Sequence, residues 1–278
     1  MEAVSFTAQW TAAARAIESD RADSLFTDPF ARTLAGESGF RLLERYASPV
    51  TVDYLALRTA YLDRIVVRAA EQGIRQVVFV AGGMDTRPYR LTWPGGTTLY
   101  ELDHAELLKA KDELLADHVP AAGATRITVP VDLAGPWEDA LTAAGLDEGA
   151  ATLWVVEGLL YYLPEEVACR LLRSTARLSG PGSVLCGDVV SEAALNNPVA
   201  RPFLEALAED GAPWLFGADK PEELLARCGW SAQGVVQPGE DGSDRWPYLV
   251  LPRHVPDVPR NFLFTAELTM SQEVPDAG

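Results

Sequence analysis

The chain has 278 residues, 48% of them hydrophobic, and its 40 acidic against 23 basic side chains give a formal net charge of −17. That composition excludes an intrinsically disordered chain, and the length allows one large α/β domain or a domain with an added cap. The acidic balance excludes nucleic acid and anionic membrane as direct partners, because like charges repel.

From the N-terminus, residues 7–19 are rich in alanine and set Trp10, Ala14 and Ile17 on one helical face. Residues 25–30 read as a turn into a second helix, with Asp28 as N-cap and Pro29 at the first helical position. Residues 53–72 place Tyr54, Leu57, Tyr61, Ile65 and Ala69 at helical spacing, and Gly73 stops that helix. Alternation then begins. Strands are predicted at 76–80, 97–102, 126–131, 152–156 and 183–189, with helices at 105–117, 137–144 and 164–178 between them. Strand and helix taking turns implies a mostly parallel sheet covered on both faces. Beyond Val190 the pattern gives helices at 201–209 and 221–227 and strand pieces at 232–237, 248–251 and 261–265. The last strands suit an antiparallel hairpin at the sheet edge, and residues 272–278 read as a disordered tail. The expected division is a helical cap over 1–73 and a Rossmann-like core over 74–278, with a helical lid insertion around 191–229.

No apolar run reaches the roughly 20 residues of a membrane helix, and residues 1–5 lack a signal-peptide start, so a cytoplasmic protein is expected. Cys169, Cys186 and Cys228 are far apart and odd in number, and the three histidines form no cluster, so neither a disulfide framework nor a metal site is expected. Cys169 and Cys186 sit in apolar contexts that suit buried small hydrophobes.

The most informative stretch is Val77-Val78-Phe79-Val80-Ala81-Gly82-Gly83-Met84-Asp85-Thr86-Arg87. A buried strand ends there in small residues, where backbone can approach a ligand closely. Asp103 closes the next strand run, near the roughly 20-residue spacing expected between a glycine loop and a ribose-binding acid. The loop is not G-x-G-x-x-G, and Asp85 puts an anion where a pyrophosphate would sit, so a nicotinamide dinucleotide is disfavoured. A nucleoside without phosphates, such as S-adenosylmethionine, suits it. Asp103 has two readings, ribose acceptor and N-cap of the following helix, and Glu101 points the same way along the strand. Glu157 ends an apolar strand before Gly158, where a carboxylate faces the cleft mouth.

Ala81-Gly82-Gly83-Met84-Asp85-Thr86-Arg87, Tyr100-Glu101-Leu102-Asp103, Val131-Asp132-Leu133 and Trp154-Val155-Val156-Glu157-Gly158-Leu159-Leu160-Tyr161-Tyr162-Leu163-Pro164 resemble four motifs of the leucine carboxyl methyltransferase family, in order. Thr7-Ala8, Arg15-Ala16, Leu25-Phe26, Asp28-Pro29 and Arg58-Thr59 agree with its bacterial members, some of which act on polyketides. The resemblance runs to about residue 178, with weaker agreement at 259–266. It implies a class I S-adenosylmethionine-dependent methyltransferase fold, with Ala81, Gly82, Gly83 and Asp85 in the cofactor loop. By the same resemblance Asp103 holds the ribose, Arg58 the methionine carboxylate, Asp132 and Leu133 the adenine, and Glu157 the cofactor's amino group or sulfonium. One departure stands out: the family's usual Gly-Ala-Gly is Ala-Gly-Gly here, tolerable if φ at Ala81 is negative.

Tyr161, Tyr162, Arg87 and Arg15 are the substrate-orienting candidates, with core packing or ion pairing as their ordinary roles. Arg90 is expected in an ion pair and His104 beside Asp103 rather than in catalysis. Trp214, Leu215 and Phe216 are candidate walls of an apolar acceptor pocket. With no convincing His or Lys base among the motif residues, the expected acceptor is a carboxylate or acidic hydroxyl oxygen of a small, partly apolar molecule. The alternative is a methyltransferase-fold protein with lost or redirected chemistry, a cofactor-binding or cyclising scaffold, suggested by Ala81.

Overall fold

The computed structural model describes residues 3–46, 50–240 and 245–269, with residues 3–6 as backbone alone. The expected tail at 272–278 lies outside the described residues.

Three helices come first: α1 (Ala3–Ser19), α2 (Ala31–Tyr46, broken at Gly36) and α3 (Thr51–Glu71). Then follow β1 (Gln76–Val80), α4 (Arg87–Arg90), β2 (Thr97–Asp103), α5 (Ala105–Leu114), β3 (Ala124–Pro130), α6 (Glu138–Ala143), β4 (Thr152–Val156), a short 3-10 turn at Leu160–Tyr162 and α7 (Glu165–Arg177). The chain continues through β5 (Val184–Val190), α8 (Glu192–Leu195), α9 (Arg201–Glu209), α10 (Pro221–Arg227), β6 (Trp230–Val236) and β7 (Asn261–Leu268).

The strands form a sheet in the order β3-β2-β1-β4-β5-β7-β6. The first five are parallel, and β7 runs antiparallel to both β5 and β6, which gives the antiparallel pairing expected at this end. Both faces are buried, and the two-residue period shows why the strands read as continuous apolar runs. Val78, Val80, Trp154 and Val156 face α7 and α10, whereas Val77, Phe79, Leu153 and Val155 face α3. Cys169, Cys186 and Cys228 are all buried thiols. Among the described residues no helix is long and apolar enough to cross a membrane.

Three expectations are corrected here. The buried stripe of α3 is Leu55, Thr59, Leu62, Val66 and Ala69, rotated from the expected one, because Arg58 and Thr59 are buried polar residues and Tyr61 turns out to reach Thr265. Ile17 is exposed while Trp10 and Ala14 are buried. Residues 248–251 are not a strand; they lie between Pro247 and Pro252, which cannot donate to a ladder, with Leu249 exposed.

The sheet face makes α3 part of the core layer. Helices α1, α2 and α9 instead share a separate cluster with Trp10, Leu34, Tyr46 and Leu207 over the C-terminal edge of β1. Asp28 fixes where α2 starts: its Oδ1 accepts from Phe30 N (3.1 Å) and Ala31 N (3.0 Å), so the cap is as expected while regular helix begins two residues after Pro29.

Candidate active site

The chain travels from β1 to β2 and β3 on one side, then crosses to β4 and β5 on the other. Ligands of open α/β sheets bind at the C-terminal strand ends where that reversal occurs. A cavity of about 480 Å³ lies there, floored by residues 79–85, Asp103 and residues 157–159, and walled by α1, α3 and residues 194–214. Its size is that of a small-molecule site.

The turn after β1 brings three expected residues together. Gly83 N–H donates to Asp103 Oδ2 (2.8 Å), and His104 N–H donates to Asp103 Oδ1 (2.8 Å). Each carboxylate oxygen keeps acceptor capacity for a ligand. Burial raises the Asp103 pKa, against the two backbone donors that lower it. Ala81 has φ +54°, so the negative φ that would make its methyl harmless is not adopted. Glu101 is not a second ribose acid. It is fully buried; its Oε1 accepts from Lys111 Nζ (2.7 Å) and its Oε2 from Arg126 Nε (2.8 Å) and Nη2 (2.6 Å).

Glu157 sits between two arginines. Its Oε1 accepts from Arg58 Nε (2.9 Å) and its Oε2 from Arg87 Nη1 (2.7 Å). Burial would raise its pKa, but the Arg87 and Arg58 charges outweigh burial and hold it at about 2. Arg58 Nη1 also donates to Asp188 Oδ2 (3.1 Å) and Tyr161 Oη (3.1 Å). Arg87 is pinned by Asp63 (2.7 Å) and Asp85 (2.6 Å) as well as Glu157, so it fills the ion-pairing role rather than facing a substrate carboxylate. Arg90 pairs with Asp63 (2.6 Å), as expected. Arg15 donates to Asp28 (2.9 Å) and to Met84 O (2.5 Å), which fastens α1 to the glycine turn.

The family's sequence model, described as leucine carboxyl methyltransferase, matches residues 8–176, more than half of the chain. The chain belongs to the leucine carboxyl methyltransferase family. A Mycobacterium avium relative named "Putative S-adenosyl-L-methionine-dependent methyltransferase" is 37% identical over 84% of this chain and 85% of its own. A Mycobacterium marinum relative of the same name is 41% identical over the same shares. Among solved structures, a duf574 family protein from Streptomyces avermitilis has a TM-score of 0.62 at 15% identity, covering 92% of this chain and 97% of its own. A methyltransferase-named structure from Thermobifida fusca gives 0.61 at 17%, covering 93% and 94%. At such identity these two speak to the fold alone.

Within this leucine carboxyl methyltransferase family member, the far half of the cavity is aromatic. Tyr161 packs on Trp214 (ring centroids 4.5 Å apart) and on Tyr162 (5.0 Å), and Phe203 meets Trp214 at 5.2 Å. Burial pushes the Tyr161 hydroxyl well above its ordinary value and the Tyr162 hydroxyl up to about 12. Of the three expected walls only Trp214 lines the cavity. Leu215 is exposed, and Phe216 is buried in the sheet core. Asp132 is exposed beyond β3, where its Oδ1 accepts from Ala134 N (2.8 Å), and Leu133 packs at the edge of the core; neither lines the cavity.

Sequence reading missed Asp188 and Asp63. Asp188 is fully buried in β5, accepts from Gly158 N (2.6 Å) and Tyr54 Oη (2.8 Å), and completes the Arg58 cluster. An acid inside an apolar strand was the available signal, since burial of an unpaired charge is costly. Asp63 carried no such signal, because one acid on a helix is normally solvated.

Proposed function

We propose that this chain is an S-adenosyl-L-methionine-dependent O-methyltransferase whose acceptor is a small acidic, partly apolar molecule such as a polyketide or other secondary metabolite. Family membership and relatives named for S-adenosyl-L-methionine support the donor. The residues present suit it: Asp103 is fixed by the glycine turn with acceptor capacity to spare, and Gly158 leaves room that a Cβ, 3.3 Å from Arg58 Nη1, would take. In this reading Asp103 holds the ribose hydroxyls, Arg58 the methionine carboxylate and Glu157 the cofactor's cationic groups. Ala81, Gly82, Gly83 and Asp85 shape its loop. When bound, the cofactor supplies an electrophilic methyl group.

The aromatic lining of the cavity, with its protonated tyrosine hydroxyls, supports this acceptor. With Tyr161 well above its ordinary value and Tyr162 at about 12, neither is a phenolate base at neutral pH. Tyr161 donates to Asp188 Oδ2 (3.4 Å), so Tyr162 is the hydroxyl able to orient an oxygen that arrives already ionised, and a carboxylate needs no base. Positioning and exclusion of water then supply the rate. Helices α1 and α2 with residues 191–229 serve as the lid.

Calorimetric titration with S-adenosylhomocysteine tests the donor half, with micromolar binding expected. Small carboxylic acids and phenols, incubated with cofactor and read by mass spectrometry, test the rest. Methyl esters or ethers support the reading. Methylation confined to nitrogen or carbon acceptors rejects the O-methyl assignment, and no binding favours a scaffold with redirected chemistry.

A further inference from the structure

Among the described residues four buried side-chain donors have no hydrogen-bond partner: Trp10 Nε1, Arg87 Nη2, Trp214 Nε1 and Arg260 Nε. All four residues line the active-site cavity. An unpaired buried donor is unfavourable until something accepts from it, and all four groups ask for an acceptor atom. Arg87 belongs to the ion cluster already described. The Trp214 indole lies near the Tyr162 hydroxyl without reaching hydrogen-bond geometry.

Arg260 differs from every other arginine of the lining. Arg15, Arg58, Arg87 and Arg90 each pair with a carboxylate at 2.9 Å or closer. Arg260, only 8% exposed, has no carboxylate partner among the described residues. Its Nη1 donates to Val258 O (2.9 Å) and its Nη2 to Pro252 O (2.8 Å) and Val255 O (3.0 Å). Three carbonyls hold the guanidinium in place without neutralising its charge, and a buried charge without a counter-charge is costly. Its place in the fold is also telling. Arg260 N donates to Ser191 Oγ (2.9 Å), and the adjacent Asn261 pairs with Val190 at the end of β5. Asp103 ends β2, on the opposite side of β1 and β4. The uncompensated cation therefore lies across the cavity from the nucleoside acid, on the side walled by Trp214 and Phe203.

We propose that Arg260 is the specificity-determining residue for the acceptor, seating an anionic group, a carboxylate, while the acceptor's apolar body packs on Trp10, Phe203 and Trp214. The assignment of this half to the acceptor rests on the methyltransferase reading above.

The test uses purified protein saturated with S-adenosylhomocysteine and titrated with 2-naphthoate and with 2-naphthamide, which differ in charge but barely in shape. The wild-type protein binds the acid at least tenfold more tightly than the amide. Arg260→Gln removes that preference and leaves amide and S-adenosylhomocysteine affinities within about twofold. Arg260→Lys, which keeps the charge but not the three-carbonyl clip, retains most of the preference and keeps the test decisive if the glutamine variant does not fold. A purely structural Arg260 would weaken acid and amide together. Equal binding of acid and amide by the wild type, or a preference that survives Arg260→Gln, overturns the proposal. If S-adenosylhomocysteine fails to bind, the donor reading falls, and the same acid–amide comparison on the free protein still decides whether Arg260 seats an anion.

Discussion

Ala81 holds a backbone conformation that suits glycine, and its methyl also touches the sheet core. A left-handed L-residue costs about 1–2 kcal/mol, of which glycine's freer unfolded chain returns about 0.4–1 kcal/mol. Ala81→Gly is therefore expected to stabilise the fold by about 0.5–1 kcal/mol in urea unfolding with an unchanged slope; a loss of stability would show that the methyl's packing wins. The two carboxylates of the donor half respond to acid in opposite senses. Glu157 has its pKa lowered from 4.5 to about 2, so its contribution to stability is complete above about pH 4.5 and is lost as pH falls toward 2. Glu157→Gln leaves two buried arginines short of a partner and should lower stability at pH 7 by about 3 kcal/mol. Asp103 is raised instead, so it is the first of the pair to protonate on acidification. Affinity for S-adenosylhomocysteine should start to fall above the ordinary aspartate value and well before Glu157 titrates. In Asp103→Asn the affinity should drop at least tenfold at pH 7, by about 1.5–3 kcal/mol for a charged hydrogen bond, and that acid limb should vanish. A limb that persists in the variant would assign the titration elsewhere.

Elements were legible in proportion to how far a single physical rule governed them. β1 and β4 are apolar on both faces, so their bounds read directly from the run Val77–Val80 and from residues 152–156. The α3 stripe was not, because the burial of Arg58 is decided by Asp188 and Glu157, both of them distant in sequence. Glu101 misled for the same reason: alternation gave its direction correctly, but Lys111 and Arg126 had already claimed it. Of the proposed donor site, Gly83, Asp103, Arg58 and Glu157 were nameable and do converge on one cavity, whereas the network that fixes them is set by residues distant in sequence. Asp28 shows how one side chain ties elements together. It caps α2, pairs with Arg15 of α1 and accepts from Thr86 Oγ1 (2.7 Å) beside the glycine turn. Burial would raise its pKa, but Arg15, Thr86 and Arg90 together bring it below the ordinary value. Asp28→Ala removes one partner of a buried pair and a helix cap at once, so a loss of about 3–5 kcal/mol is expected from the urea midpoint. A loss below about 1 kcal/mol would mean that the three elements are held independently.

At the scale of the whole molecule, two kinds of cohesion coexist. The sheet is fixed between two apolar layers, one with α7 and α10 and one with α3. The cap of α1, α2 and α9 shares a smaller cluster, and its rim is closed by polar ties: Arg45 with Asp210 (2.9 Å) and Glu209 (3.0 Å), and Tyr46 Oη with Asp210. Exposed pairs of this kind contribute about 0–1 kcal/mol each and weaken with salt. On these rim contacts the cap is expected to open more readily than the sheet, as a lid would. Its link to the donor half is direct, since Arg15 donates to Met84 O and the Ala8 side chain lies against Gly83. In hydrogen–deuterium exchange, amides of α1, α2 and α9 should exchange well before those of β1, β4 and β5, and faster still at high salt. Saturation with S-adenosylhomocysteine should slow α1, because occupancy of the turn stabilises the carbonyl and the small-residue contact that α1 rests on. If α1 and β1 exchange together, or if α1 ignores the ligand, cap and sheet open as one cooperative unit, and the acceptor must enter by a route that leaves these helices in place.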